Sequence, residues 1–152
     1  MITVEAKEDF TRRLDNQEAL WLTVFGEARS ESPEGQIAVA NVILNRSIEQ
    51  RKSVKDVCLA SLQFSCWNSN DPNLDQLMNA YLGPSTYSVR LIKQIKHLTY
   101  GVYMQFIMDN TDGSNHYLTL KLYNSDKCPV WAKNKDAQPR VAIGSHMFLW
   151  CP

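Results

Sequence analysis

Between Asp15 and Arg29 the apolar residues Leu20, Trp21, Val24, Phe25 and Ala28 recur at helical spacing, which predicts a helix with a buried stripe. Asp15, with Glu18 three residues on, supplies a capping box at its start. Ser32-Pro33-Glu34 then provides an N-cap, a first-turn proline and an early acid, and opens a second helix. Ile37, Ala38, Val39, Ala40, Val42, Ile43 and Leu44 cover most of that helix's circumference, so it is expected to be the central buried one. Ser53 to about Leu62 reads as a short helix, and the stretch QFSCWNSNDPN after it is aromatic, polar and turn-rich. Asp71-Pro72 opens another helix carrying Leu74, Leu77, Met78 and Tyr81, which Gly83-Pro84 ends. A long helix is predicted from about Ser85 to Met108, striped by Val89, Ile92, Ile95, Leu98 and Val102.

Past DNTDGSN the period changes to two. Leu118, Leu120 and Leu122 alternate with Thr119, Lys121 and Tyr123, a strand signature. A polar loop leads to RVAIGSHMFLW, read as a second strand pairing with the first. Helices dominate and a small antiparallel sheet is expected near the C-terminus, an α+β fold. With no internal repeat, low-complexity stretch or linker, residues 1–152 are expected to form one domain.

Composition narrows the partners. A chain of 152 residues that is 44% hydrophobic and 21% charged can bury a substantial core. Sixteen basic residues balance sixteen acidic ones, so nothing predicts a nucleic-acid footprint. The first twenty residues carry early acids and no apolar core, which predicts no secretory signal. No apolar run approaches the roughly 18 residues of a membrane span, so no membrane anchor is expected. The four cysteines form no CxxC pair; without an export signal they are expected to be reduced and most of them to pack as small hydrophobes, with disulfides after release into an oxidising compartment as the alternative.

One charge is out of place in this pattern. Glu27 follows Gly26 at the edge of the first apolar stripe, with Leu20, Thr23 and Val24 on the same face. That position is an apolar wall with access to a groove, where desolvation favours the proton-bearing form of a carboxyl. The ordinary alternative is a surface glutamate paired with Arg29 or Arg46.

The segments FGEARSESPEGQIAVANVILNR, SVKDVCLASLQFSCWN, SNHY, PVWA and IGSHMF, in that order, resemble the cell wall hydrolase family typified by bacterial spore-cortex-lytic enzymes and found in phage endolysins. The similarity covers Leu20 to Phe148. It implies a lysozyme-like catalytic domain that cuts peptidoglycan glycan strands with one catalytic glutamate. Glu27 stands in the GEAR motif and so inherits the general-acid role. By the same resemblance Gln63, Phe64, Ser65 and Trp67 line the sugar cleft, His116 and Tyr117 lie near it, and Trp131, Gly144 and His146 match the later motifs. Leu118 departs from the pattern, because relatives often have a second histidine there.

The residue types also suit a glycan without the family. Sugar rings have apolar CH faces and polar rims, and Gln63, Trp67, Asn115 and Tyr117 offer amides and aromatic faces to match. Each has a plainer role too: Phe64 as core, Trp131 as a hydrophobic plug, His146 as a satisfied core histidine. With Glu31 near the helix end and Glu34 in the next helix's first turn, no second catalytic carboxylate is obvious. Glu27 acting alone implies a lytic transglycosylase, with muramidase chemistry as its neighbour. The substrate is then bacterial peptidoglycan, with no cofactor and no metal, and the protein a monomer that stays in a host cytoplasm until release to the wall. Two other classes remain open. A zinc amidase would use His116, His146 and Cys128, though no HExxH-like motif organises them. A non-catalytic glycan-binding module would keep the aromatic groove but not need Glu27.

Overall fold

The computed structural model describes residues 2–83 and 89–152. A helix not foreseen from the pattern, α1 (Val4–Arg13), opens the chain under a Thr3 cap and buries Phe10 against Trp67 and Tyr81. The predicted helix α2 follows as Asn16–Ala28, with both halves of the Asp15–Glu18 capping box formed. Ser32 caps α3 (Pro33–Gln50) through the Gly35 N–H. Then come α4 (Val54–Leu59), a 3-10 turn (Ser65–Trp67), α5 (Pro72–Leu82) and α6 (Val89–Tyr103). The C-terminal part holds β1 (His116–Thr119), α7 (Leu120–Tyr123), α8 (Val130–Lys133), β2 (Gln138–Ile143) and β3 (His146–Trp150). This is the expected mainly helical domain with a small antiparallel sheet.

Four predicted elements differ in the structure. The first is α2, where burial goes beyond the expected stripe: that stripe is buried, and so is every residue from Ala19 to Phe25, because α3, α4, α5, α6 and the 3-10 turn pack around it. It shares the centre of the core with α3. The second is α6, whose last helical residue is Tyr103 rather than Met108. Gln105 adopts a left-handed backbone (φ 61°), and the N–H groups of Phe106 and Ile107 both return to the Gly101 carbonyl, closing the helix. The part of that predicted helix at 85–88 lies outside the described residues. The third is the strand expected over 118–123, which ends at Thr119. The Thr119 hydroxyl accepts from the Leu122 N–H and caps a helical turn instead.

The fourth is RVAIGSHMFLW, which forms not one strand but a hairpin, β2 and β3, turning through Gly144 at φ 56°. The sheet order is β1-β3-β2, with β3 central and antiparallel to both neighbours. Period-two alternation divides the side chains. Tyr117 pairs across with Phe148, and both face the helical core; Leu118 and Leu149 belong to a smaller apolar cluster with Ala132 and Cys151. The sheet is therefore the wall between two apolar regions.

The end of α3 positions β1. Asn45 donates to the Ser114 carbonyl at 2.9 Å and to Asp109, and Arg46 donates to the Asn115 carbonyl at 2.5 Å. Burial pushes the Asp109 carboxyl up, but hydrogen bonds from Thr111, Asn45 and Gly113 outweigh it and hold the group below its ordinary value. All four cysteines are free thiols: Cys58, Cys66 and Cys151 are buried and Cys128 is half-buried. Burial pushes Cys58 up to about 12, so it packs as a neutral thiol.

Gly26 fixes how closely the 3-10 turn approaches α2. A Cβ there would stand 2.7 Å from the Cys66 Cβ and 2.8 Å from its Sγ. Gly26→Ala is therefore expected to cost about 1–3 kcal/mol through overpacking, read as a lower urea midpoint. An unchanged midpoint would show that the turn yields freely.

Candidate active site

Glu27 lies in the last turn of α2, one residue beyond the close approach of Gly26 to the 3-10 turn. That approach lets the Cys66 N–H point at Glu27 Oε1 (3.4 Å), while the Tyr117 hydroxyl, coming from β1, donates to Oε2 (3.3 Å). The carboxylate is half-buried and held from two sides by a helix-flanking turn and a strand. Neither arginine suggested by the sequence pairs with it. Arg29 donates to the carbonyls of Phe25 and Gly26 and to Asn73, and Arg46 donates to Asn115 and Gln63.

Glu27 opens on a cleft of about 280 Å³ whose walls include Gln63, Phe64, Ser65 and Tyr117, together with Arg46, Leu62 and Asn68. Five of the residues singled out from the sequence thus meet at one place. Phe64 serves both as cleft wall and as core: it is 3% exposed and carries the Arg46 guanidinium over its ring at 5.3 Å. Leu62 stands 86% exposed at the rim with a left-handed backbone (φ 62°), uncommon for a leucine. It offers the cleft an apolar surface.

The other candidates do not line this cleft. Trp67 is a core residue; its Nε1 donates to the Thr23 hydroxyl at 2.9 Å and its ring packs against Phe10. Asn115 is buried and satisfied, donating to Glu49 and the Cys151 carbonyl and accepting from the Cys151 N–H. His116 falls on the opposite face of β1 from Tyr117, because neighbours alternate along a strand, and packs at a tilt against the Trp131 ring, centroids 5.1 Å apart. Trp131 on α8 is 39% exposed on that same outer side. His146 shares the Tyr117 face and packs edge-on against its ring at 5.2 Å, yet its Nδ1 is directed to Glu31 at 3.3 Å.

Glu31 is consequently no second cleft carboxylate. It accepts from the Ser145 hydroxyl, meets His146, and lies so near Gly144 that a Cβ there would stand 2.8 Å from its Oε2. The glycine is required twice over, by that contact and by its positive φ. Glu34 is exposed in the first turn of α3. Among the described residues, Glu27 is the one carboxylate lining the cleft. Nor, among them, do three His, Cys, Asp or Glu side chains converge as a metal site; His116 and His146 lie on opposite faces of the sheet. A larger hollow of about 470 Å³ lies between α2 and α6, but its carboxylates, Asp15 and Glu18, are those of the α2 capping box.

The electrostatics keep the donors in place. Burial, and next the charge of Glu27, push the Tyr117 phenol well above its ordinary value, so it remains an O–H donor. Burial and the same carboxylate push the Cys66 thiol up, so it stays uncharged beside Glu27. Sequence reasoning missed Leu62 and Asn68, and took Arg46 only as a possible ion-pair partner of Glu27, not as a cleft wall. For Arg46 there was a signal of the kind that marked Glu27, a charge on the most apolar helix. For Leu62 there was none, since its exposure comes from a loop conformation.

The mainly helical domain with its small three-stranded sheet has the lysozyme-like fold. The chain belongs to the cell wall hydrolase family, whose model matches residues 30–149. That match begins three residues after Glu27. Two solved structures share the fold. One is the catalytic domain of the germination-specific lytic transglycosylase SleB from Bacillus anthracis, with a TM-score of 0.63 and 24% identity over 90% of this chain and 93% of that one. The other is the catalytic domain of Bacillus cereus SleB, with a TM-score of 0.59 and 24% identity over 90% of this chain and 89% of that one. No curated protein sequence matches.

His116 yields a pH test of this placement. Burial, and next the Arg46 charge, hold its imidazole below the ordinary 6.5, so it folds in neutral form. The unfolded chain therefore binds the extra proton first. The stabilisation is complete above about pH 6.5 and is lost as pH falls toward the lowered folded value. The drop in urea midpoint between pH 7.5 and 5 is expected to be smaller in His116→Gln than in the unmodified protein. An identical drop would place His116 in solvent.

Proposed function

We propose that the protein cleaves the MurNAc–GlcNAc bond of peptidoglycan as a lytic transglycosylase, with Glu27 as its proton-transfer group. The observation that carries this reading is that, among the described residues, Glu27 is the one carboxylate in the cleft. Hydrolysis by the usual two-carboxylate schemes needs a partner placed about 5 Å away for retention, or further for inversion. Glu31 is held instead by Ser145 and His146. Family membership and the fold shared with SleB, a lytic transglycosylase, support the same substrate class.

One group suffices if it acts twice. Protonated Glu27 gives its proton to the glycosidic oxygen, the C1–O bond breaks, and the GlcNAc 4-hydroxyl leaves. The carboxylate so formed takes the proton of the muramoyl 6-hydroxyl as that oxygen bonds to C1. The product is a 1,6-anhydromuramoyl end, no water is consumed, and Glu27 regains its proton. The Tyr117 hydroxyl and Cys66 N–H steady the carboxylate between the two transfers. Gln63 and Ser65 offer hydrogen bonds to the sugar rim, and Leu62 an apolar face. The resemblance to phage endolysins extends the proposal to a monomeric lysin that cuts the wall of its host after release from the host cytoplasm.

Mass spectrometry of digested peptidoglycan tests the reaction. Anhydromuramoyl ends are expected; new reducing muramic ends would instead mean hydrolysis, and free stem peptides an amidase. Glu27→Gln is nearly isosteric and is expected to lower the rate by about 10²–10⁴ with an unchanged circular dichroism spectrum. More than about a tenth of the lysis surviving would remove Glu27 from the chemistry.

Tyr117→Phe takes away one donor to Glu27 while keeping the ring against Phe148 and His146. A fall in kcat of about tenfold, with little change in KM, is expected from the loss of one such hydrogen bond. Unchanged kcat would show that the Cys66 N–H alone orients the acid.

A further inference from the structure

Arg46 is, among the described residues, the one lysine, arginine, aspartate or glutamate that is buried: it is 8% exposed, yet it lines the cleft beside Glu27. Burying a guanidinium is costly, and burial does hold its acidity above the ordinary value. No carboxylate of the described residues lies within ion-pair distance of it. Glu49, a carboxylate whose charge acts on it, instead accepts from Asn115 and the Trp150 indole.

Two of its three nitrogens are accounted for. Nε donates to the Asn115 carbonyl and Nη1 to Gln63 Oε1 at 3.3 Å, while the plane lies over Phe64. Nη2 donates to no acceptor among the described residues, and it is not sealed from solvent. Tethering the chain ahead of β1 does not require a cation either. Asn45, the preceding residue, holds the neighbouring Ser114 carbonyl at 2.9 Å with a neutral amide. The charge at 46 is thus surplus to the tether, and the side chain that carries it lines the cleft.

We propose that Arg46 is a carboxylate-reading subsite, binding an acidic group carried by the muramoyl unit of the glycan. This rests on the glycan-cleaving reading of the cleft and adds a specificity to it. Two sources supply that chemistry: the lactyl carboxylate, free wherever the stem peptide is missing, and the carboxylates of the stem peptide itself. A planar guanidinium with an unused N–H suits either one, and a charge-assisted bond repays desolvation better than a neutral acceptor does.

The test uses full-length Glu27→Gln protein, so that binding is read without turnover. Its ligands are a peptide-free GlcNAc–MurNAc oligosaccharide with free lactyl carboxylates, the same oligosaccharide with those groups converted to methylamides, and a chitooligosaccharide of equal length. A peptide-bearing oligosaccharide, with and without amidated peptide carboxylates, separates the two sources. Calorimetry is expected to show the carboxylate form of one pair binding about ten- to a hundred-fold tighter than its amide. Which pair does so identifies the source. Adding Arg46→Lys should shrink that ratio, and Arg46→Met should bring it close to one while methylamide binding persists. Equal affinity of acid and amide in both pairs, measured with Arg46 intact, overturns the subsite but leaves the glycan cleft standing. Failure of every oligosaccharide, chitooligosaccharide included, to bind overturns both. Because the acid-to-amide ratio is read first with Arg46 in place, the result does not depend on the Arg46 variants folding.

Discussion

Enclosure of α2 on every side is the constraint on which the cleft depends. Leu20, Leu22, Val24 and Phe25 are fully buried, and four helices and the 3-10 turn close around them. Each such side chain contributes about 1.5–3 kcal/mol by leaving water. The helix therefore cannot rotate by even one residue without exposing part of that surface. Glu27, in the last turn of the same helix, inherits the rigidity. A proton-transfer group needs it, because transfer requires heavy atoms within about 3 Å and tolerates little misplacement.

The second wall is positioned by the pleat of a three-stranded sheet. Alternation sends Tyr117, Phe148 and His146 toward the helices, and His116, Leu118 and Leu149 away from them. A slip of one residue would exchange Tyr117 for His116 at Glu27. The register is pinned at both ends: Asn45 and Arg46 hold the chain entering β1, and Ser145, whose carbonyl accepts from the Leu120 N–H, holds the chain leaving it. Glu31 ties the β2–β3 turn back to the end of α2 through Ser145 and His146. The helical and sheet halves of the site are thus joined by polar contacts across an apolar boundary.

Most of the helical framework was legible in the chain. Capping residues at Asp15, Ser32, Ser53 and Asp71 start helices where they were expected to, since a cap acts through its own backbone neighbours and needs no tertiary partner. Glu27 stood out for a similarly local reason, as a charge in an apolar pattern. The extent of α6 and of the β1 strand was not legible. Periodicity continues past Tyr103 and Thr119, whereas termination is decided by a left-handed Gln105 and by a hydroxyl cap that competes with the ladder.

The membership of the cleft divides along the same line. Gln63, Phe64 and Ser65 could be read from the sequence as one polar-aromatic stretch, and the fold keeps them together where the loop after α4 enters the 3-10 turn. Trp67, two residues further on, is turned inward because Thr23 offers its indole a buried acceptor. His116 and Tyr117 are adjacent in the chain and opposed in space. Composition and spacing determined that a carboxylate, aromatic rings and amides were available. Only the tertiary structure decided which of them share a surface, because side-chain direction depends on strand pairing and on buried hydrogen-bond partners that lie tens of residues away.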